Sequence, residues 1–379
     1  MGGYRLEKTY QIKKRSVLDR IEPYKPGKPI WEVQEDLGLK RVIKLASNEN
    51  PLGPSPKAIE AIMTNLNGIN RYPDSHANQL KQSIAYQYGL SPSQLIITNG
   101  ADELITLISE TFLEASDEII VPSPSFGEYD FGAHLMGAKI VKAPLDYNFS
   151  FSIENILSAI TEYTKLIYIC SPNNPTGTYM PKQGLEQLLQ KLPKDILVVF
   201  DSAYSHYATN EDYTDGIEYV KDGFPIIILQ TFSKIYGLAG LRIGFGVAPE
   251  AVIQDIQRVK EPFNVNTLAQ TAAIAAINDE VHLKKSKHTN TIGRNMLYEG
   301  LTHLGVTYTE SMSNFVLVDF GPDAKQIYEK LLAKGIIVRY GDTWGMSKYI
   351  RFSVGTYEEN IQLLLALKLI LGNRSDDDE

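Results

Sequence analysis

The sequence predicts an α/β protein: a large, mixed but mostly parallel sheet flanked by helices, joined to a smaller α+β domain. Three observations predict it. Short apolar runs alternate with amphipathic helical stretches through the middle of the chain, the pattern of strands buried on both faces and linked by crossover helices. Polar residues cluster just after several of these runs, where open α/β sheets bind their ligands. The chain has 379 residues, 43% of them hydrophobic, so it exceeds one ordinary domain of about 100–200 residues and can bury a large core.

Taken in order, Leu95 to Thr98, Glu118 to Val121, Lys165 to Cys170, Ile196 to Phe200, Pro225 to Leu229 and Arg242 to Val247 read as buried strands. Asp102 to Phe112 and Lys182 to Leu192 carry helical apolar spacing between them. The segment Glu261-Pro262-Phe263-Asn264-Val265-Asn266 breaks this rhythm, and a long helical region follows from Leu268 to about Leu304. A strand-rich end comes next, at Phe315 to Phe320, Ile336 to Arg339 and Tyr349 to Val354, closed by a helix from Glu358 to Leu371. The expected division is therefore a large domain over 46–265 and a small one formed by 1–45 with 266–379.

Charge and composition narrow the function. The 37 basic and 45 acidic residues give a net charge of −8; with no basic block, nucleic acid is not an expected partner. No apolar run approaches the roughly 20 residues of a membrane-spanning helix. The start, Met1-Gly2-Gly3-Tyr4-Arg5-Leu6, lacks the apolar stretch of a secretory signal. The single cysteine, Cys170, cannot form an internal disulfide, which suits a reducing cytoplasm. The six histidines show no paired metal-ligand spacing, so no metal is expected. A G-x-S-x-G nucleophile elbow and a G-x-G-x-x-G fingerprint are both missing.

The chemistry concentrates around one lysine. In Thr231-Phe232-Ser233-Lys234, an apolar run delivers the amine into a turn flanked by hydroxyls, and Arg242 follows eight positions later. Such an amine can form a Schiff base with a carbonyl compound, while the hydroxyls and the arginine can hold a phosphate dianion. Together these needs describe pyridoxal 5′-phosphate, an electron sink for carbanions. Alone, the segment reads equally well as a structural strand-to-loop transition.

Four further segments support the chemical reading. Asn99-Gly100-Ala101-Asp102 opens a helix whose free N–H groups can bind an anion, or is an ordinary turn with Asp102 as N-cap. Ser171-Pro172-Asn173-Asn174-Pro175-Thr176-Gly177 is a turn whose two prolines fix the asparagines. Asp201 ends a buried run, where a carboxylate needs a partner such as a protonated pyridine nitrogen, and Tyr204 follows three residues on. Arg351 lies inside an alternating strand and Arg339 ends another. Guanidinium forks suit carboxylates and phosphates, although a solvated surface arginine is the alternative for either one alone.

The order Asn-Gly-Ala-Asp, Pro-Asn-Asn-Pro-Thr-Gly, Asp-x-Ala-Tyr, Thr-Phe-Ser-Lys and x-Arg-x-Ser-x-Gly resembles the class I/II group of fold-type I pyridoxal-phosphate-dependent aminotransferases. Within that group the chain looks most like the histidinol-phosphate aminotransferases, on Ile21-Glu22-Pro23-Tyr24, Lys44 to Pro51, Arg71-Tyr72-Pro73-Asp74 and Ser233 to Arg242. The resemblance spans about residues 16–372. It implies that Lys234 carries the cofactor and shuttles the proton, that Asp201 keeps the ring nitrogen protonated, and that Tyr204 and Asn174 hydrogen-bond its phenolic oxygen. It further implies that Phe126 stacks on the ring and that Ala101, Asp102, Thr231, Ser233 and Arg242 surround the phosphate. Tyr72 is expected to reach the cofactor phosphate of a neighbouring subunit, in a homodimer with shared sites. Tyr24, Asn174, Arg339 and Arg351 are expected to hold the substrate. The family usually has glutamate after the ring-nitrogen aspartate; here it is Ser202, a departure that bears on the subgroup and its amino donor.

The implied reaction is transamination between histidinol phosphate and 2-oxoglutarate, serving histidine biosynthesis. Aromatic amino acids are the nearest alternative donors. Decarboxylation of the threonine-phosphate decarboxylase kind is the alternative from another class, since it shares the lysine and the aspartate. An aminotransferase-like DNA-binding regulator is a third, but no segment before residue 40 suits a DNA-binding unit.

Overall fold

The computed structural model describes residues 12–21, 23 and 27–372. A seven-stranded sheet forms its centre, in the spatial order Leu95–Thr98, Gly244–Val247, Ile226–Thr231, Leu197–Asp201, Thr164–Cys170, Glu118–Ser123, Lys139–Pro144. Only Gly244–Val247 runs against its neighbours; the remaining pairings are parallel.

Period-two alternation explains why these runs form buried strands. Ile167, Ile169, Val198, Phe200, Ile226 and Ile228 face one core, while Leu166, Tyr168, Val199, Ile227 and Leu229 face the other. Helices close both cores. Leu185 and Leu188 of Lys182–Lys191 pack on the first face, and Leu104 and Ile108 of Gly100–Phe112 pack on the second. Each fully buried Ile, Leu or Phe contributes about 1.5–3 kcal/mol relative to exposure, so apolar side chains on both faces favour this sheet over a half-solvated one.

The parallel topology brings the strand ends at Ser123, Cys170, Asp201 and Thr231 to one edge, with Cys170 opposite Asp201 and Asp201 opposite Leu229. Gly244 pairs with both Thr98 and Thr231. That double pairing sets the start of the helix Gly100–Phe112 beside the Lys234 loop.

A second sheet is antiparallel throughout, in the order Arg339–Tyr340, Tyr349–Ser353, Phe315–Asp319, Thr307–Thr309. Ile43–Lys44 pairs in parallel with Ile336–Ile337. The expected strand from Ile336 to Arg339 is therefore two short strands serving two different sheets. The expected single helical region is also two helices, Thr267–Ile277 and Glu280–His303. Asp279 interrupts it by accepting a hydrogen bond from the His282 N–H, which caps the second helix. The first helix packs on Pro56–Asn65 and Asn78–Tyr88, and the second on Tyr357–Gly372. Among the described residues, no helix is long and apolar enough to cross a membrane.

Candidate active site

The turns after the parallel strands enclose a cavity of about 630 Å³. Ala101, Asp102, Phe126, Asn174, Asp201, Tyr204, Thr231, Ser233, Lys234, Arg242, Arg339 and Arg351 all line it. Fourteen site residues were expected from sequence, and these are the ones the fold brings together. Tyr72 lies outside the cavity, 83% exposed and stacked on Phe263 at 4.8 Å between ring centres. Tyr24 lies outside the described residues.

Lys234 follows the buried strand Ile226–Thr231. Its Nζ donates to the Ser47 carbonyl at 3.3 Å and lies 5.5 Å from the centre of the Tyr204 ring. Burial, reinforced by the charges of Arg351 and Arg242, pulls its pKa from 10.5 down to about 8. A useful fraction of the amine is therefore neutral, and nucleophilic, near physiological pH.

Asp201 is buried at the end of its strand. The Tyr129 hydroxyl donates to Oδ2 at 2.7 Å and the Ala203 N–H donates to Oδ1 at 3.0 Å. Burial pushes its pKa up, while these two hydrogen bonds oppose the rise. A cationic ring nitrogen would relieve the desolvated carboxylate.

The anion-binding end is built from backbone. Gly100 opens its helix at φ 82°, and a Cβ there would sit 2.6 Å from Arg242 Nη2. Arg242, itself at φ 53°, reaches Asp102 Oδ2 at 3.0 Å and Ser233 Oγ at 3.4 Å. Asp102 lies in the first turn rather than at the N-cap, which is Asn99. Helix N–H groups, a hydroxyl and a guanidinium thus face one place, as a phosphate requires.

At the other end, Arg351 donates to the Asn174 side-chain oxygen, and to the Ala46 carbonyl at 2.7 Å. Its guanidinium lies 5.0 Å from the ring centres of both Phe315 and Trp344. Arg339 sits directly across from it on the neighbouring antiparallel strand, so both side chains leave the same face of the sheet.

The family model for aminotransferase class I and II matches residues 40–367. The chain belongs to this family. Relatives of this aminotransferase include the histidinol-phosphate aminotransferase of Moorella thermoacetica, 46% identical, covering 94% of this chain and 92% of the relative. That of Caldicellulosiruptor saccharolyticus is 43% identical, over 94% and 99%. Among solved structures, the histidinol-phosphate aminotransferase from Sinorhizobium meliloti in complex with pyridoxal-5′-phosphate has a TM-score of 0.89 at 26% identity, covering 96% of this chain and 99% of that one.

The aminotransferase site fits the family cofactor on its own geometry: a lysine just after a buried strand, a buried carboxylate at the neighbouring strand's end, and a helix start that a side chain at Gly100 would obstruct. Tyr129, Trp344 and the role of Asn48 are not among the residues the sequence predicts. Asn48 had a signal, because it lies within the segment that carried the family resemblance. Tyr129 had none, because its bond to Asp201 spans 72 residues.

Proposed function

We propose that this aminotransferase moves an amino group between histidinol phosphate and a 2-oxo acid such as 2-oxoglutarate, with pyridoxal 5′-phosphate held at Lys234, as a step of histidine biosynthesis. The observation that carries this reading is the convergence of Lys234, Asp201, Tyr204 and the anion-binding helix start on one cavity. The names and high coverage of the relatives support the choice of amine.

The bound cofactor would supply an electron sink for the bond broken at the amino-bearing carbon. Asp201 would keep a proton on the ring nitrogen, and Tyr129 and the Ala203 N–H orient its carboxylate. Tyr204 and Asn174 would hydrogen-bond the phenolic oxygen, and Phe126 would cover the ring; all three line the cavity. The Ala101 and Asp102 N–H groups, Thr231, Ser233 and Arg242 would hold the phosphate. Lys234, partly neutral near pH 8, would hold the cofactor and, once displaced by the substrate amine, would serve as the base that moves the proton. Arg351 and Arg339, with Tyr24, receive the anionic end of the substrate.

The working unit in this reading is a homodimer in which Tyr72 completes the partner's phosphate site. Support comes from Tyr72 itself, 83% exposed and stacked on Phe263, which is also exposed. The cytoplasm is the proposed compartment. The proposed lobes are 46–265 and 1–45 with 266–379, the helix Thr267–Ile277 packing across the join on Pro56–Asn65 and Asn78–Tyr88.

The test is a half-reaction. Histidinol phosphate should bleach the visible band of the loaded protein, and 2-oxoglutarate should restore it. Faster bleaching by phenylalanine would assign an aromatic donor instead. Carbon dioxide release without an amino-acid product would mean decarboxylation.

A further inference from the structure

Asn48 takes no part in the chemistry above, yet it is 1% exposed and held in the left-handed region at φ 55°. Its polar groups form a closed circuit. The Asn48 N–H donates to Ser353 Oγ at 2.8 Å, and Ser353 Oγ donates back to Asn48 Oδ1 at 2.9 Å. Asn48 Nδ2 donates to the Tyr204 hydroxyl at 3.1 Å. The Asn48 carbonyl accepts from Asn314 Nδ2 at 2.9 Å. We infer that Asn48 is a positioning residue: it presents a donor to the Tyr204 oxygen and so sends the single Tyr204 proton into the cavity.

Proton counting supports this direction. A hydroxyl has one proton to give and two lone pairs to receive. Ser353 Oγ already receives the backbone N–H, so its proton goes to Oδ1, which turns the amide NH₂ toward Tyr204. With the amide reversed, Ser353 would face two donors and Tyr204 would spend its proton on Asn48. Burial pushes the Tyr204 phenol well above its ordinary range, so it remains a neutral donor. The groups facing it are Lys234, Arg351, Asp201, Cys170 and Tyr207, together with the Phe315 ring edge. Ser353 lies two residues after Arg351 on the same strand, so the circuit also ties the substrate arginine's strand to the Tyr204 hydroxyl.

The inference rests on the proposed function, in which Tyr204 donates to the cofactor's phenolic oxygen. The test is a pH titration of the visible absorption band in the cofactor-loaded wild type, Asn48→Asp, Ser353→Ala, Tyr204→Phe and the double variant Asn48→Asp/Tyr204→Phe. Aspartate tolerates the left-handed backbone but offers only acceptors, so it takes the Tyr204 proton. Losing that donor should raise the titration midpoint of Asn48→Asp by about one pH unit, as in Tyr204→Phe. The uncharged Ser353→Ala should shift it the same way by less. In the Tyr204→Phe background, Asn48→Asp should add little. An unshifted Asn48→Asp, or a shift that persists undiminished without the Tyr204 hydroxyl, overturns the inference while leaving the proposed function intact. A wild type with no visible band, or Tyr204→Phe with no shift, instead overturns the functional reading and this inference with it.

Discussion

Replacing Lys234 by methionine should stabilise the cofactor-free protein at neutral pH and do so much less at high pH. Burial is the main cause of the depressed amine pKa, followed by the Arg351 charge. The folded state therefore holds the lysine proton less tightly than the unfolded chain does. The resulting penalty is complete below the folded pKa and fades as pH rises from about 8 toward 10.5. At about 1.4 kcal/mol per tenfold change in proton affinity, it amounts to about 3 kcal/mol at pH 7 and about 1 kcal/mol at pH 10. Methionine fills a similar volume without the charge. It forfeits the bond to the Ser47 carbonyl, about 1 kcal/mol at either pH. The net gain should thus be about 2 kcal/mol at pH 7 and near zero at pH 10. Urea denaturation of both cofactor-free proteins at the two pH values measures it. An equal effect at both pH values, or destabilisation at pH 7, would refute the claim that the folded protein strains this amine.

Other consequences follow from the same geometry. Gly100→Ala puts a methyl group 2.6 Å from Arg242 Nη2 at a positive-φ position, so cofactor affinity should fall at least about tenfold by equilibrium dialysis; unchanged affinity would remove the helix start from the phosphate site. Tyr129→Phe deletes the 2.7 Å donor to Asp201. It should slow the single-turnover bleaching rate by about 10–100-fold while cofactor stays bound, on about 1.5–3 kcal/mol for a hydrogen bond to a charged group. Arg351→Lys loses the planar fork shared by Asn174 and Ala46; KM for the amine should rise about 100-fold with a smaller change in kcat, and an unchanged KM would dismiss Arg351 as the anion anchor. Gly237→Ala drives a Cβ into the Gly53 carbonyl at φ 69° and should lower the thermal midpoint measurably, since the collision is with backbone.

Apolar periodicity made the sheet legible. Runs such as Ile226 to Leu229 are buried on both faces, so every residue carries the signal. Lys139–Pro144 escaped notice because it is an edge strand with only Ala143 buried, and its lysines mask the pattern. The break at Asp279 and the split at Ile336 to Arg339 turn on single caps and on which sheet a two-residue strand joins, which periodicity does not encode. Site residues on strand ends were legible because topology fixes where those ends go. The partners that orient them were not: Asn48 meets Ser353 from 305 residues away, and local spacing carries no trace of such a contact.

The central claim is that one amine, Lys234, carries the cofactor. Borohydride reduction of the loaded protein, followed by proteolysis and mass mapping, tests it most directly. The account predicts one reduced cofactor per chain, on the peptide containing Lys234. A label on any other lysine, or no label from a protein that still turns over, would contradict it.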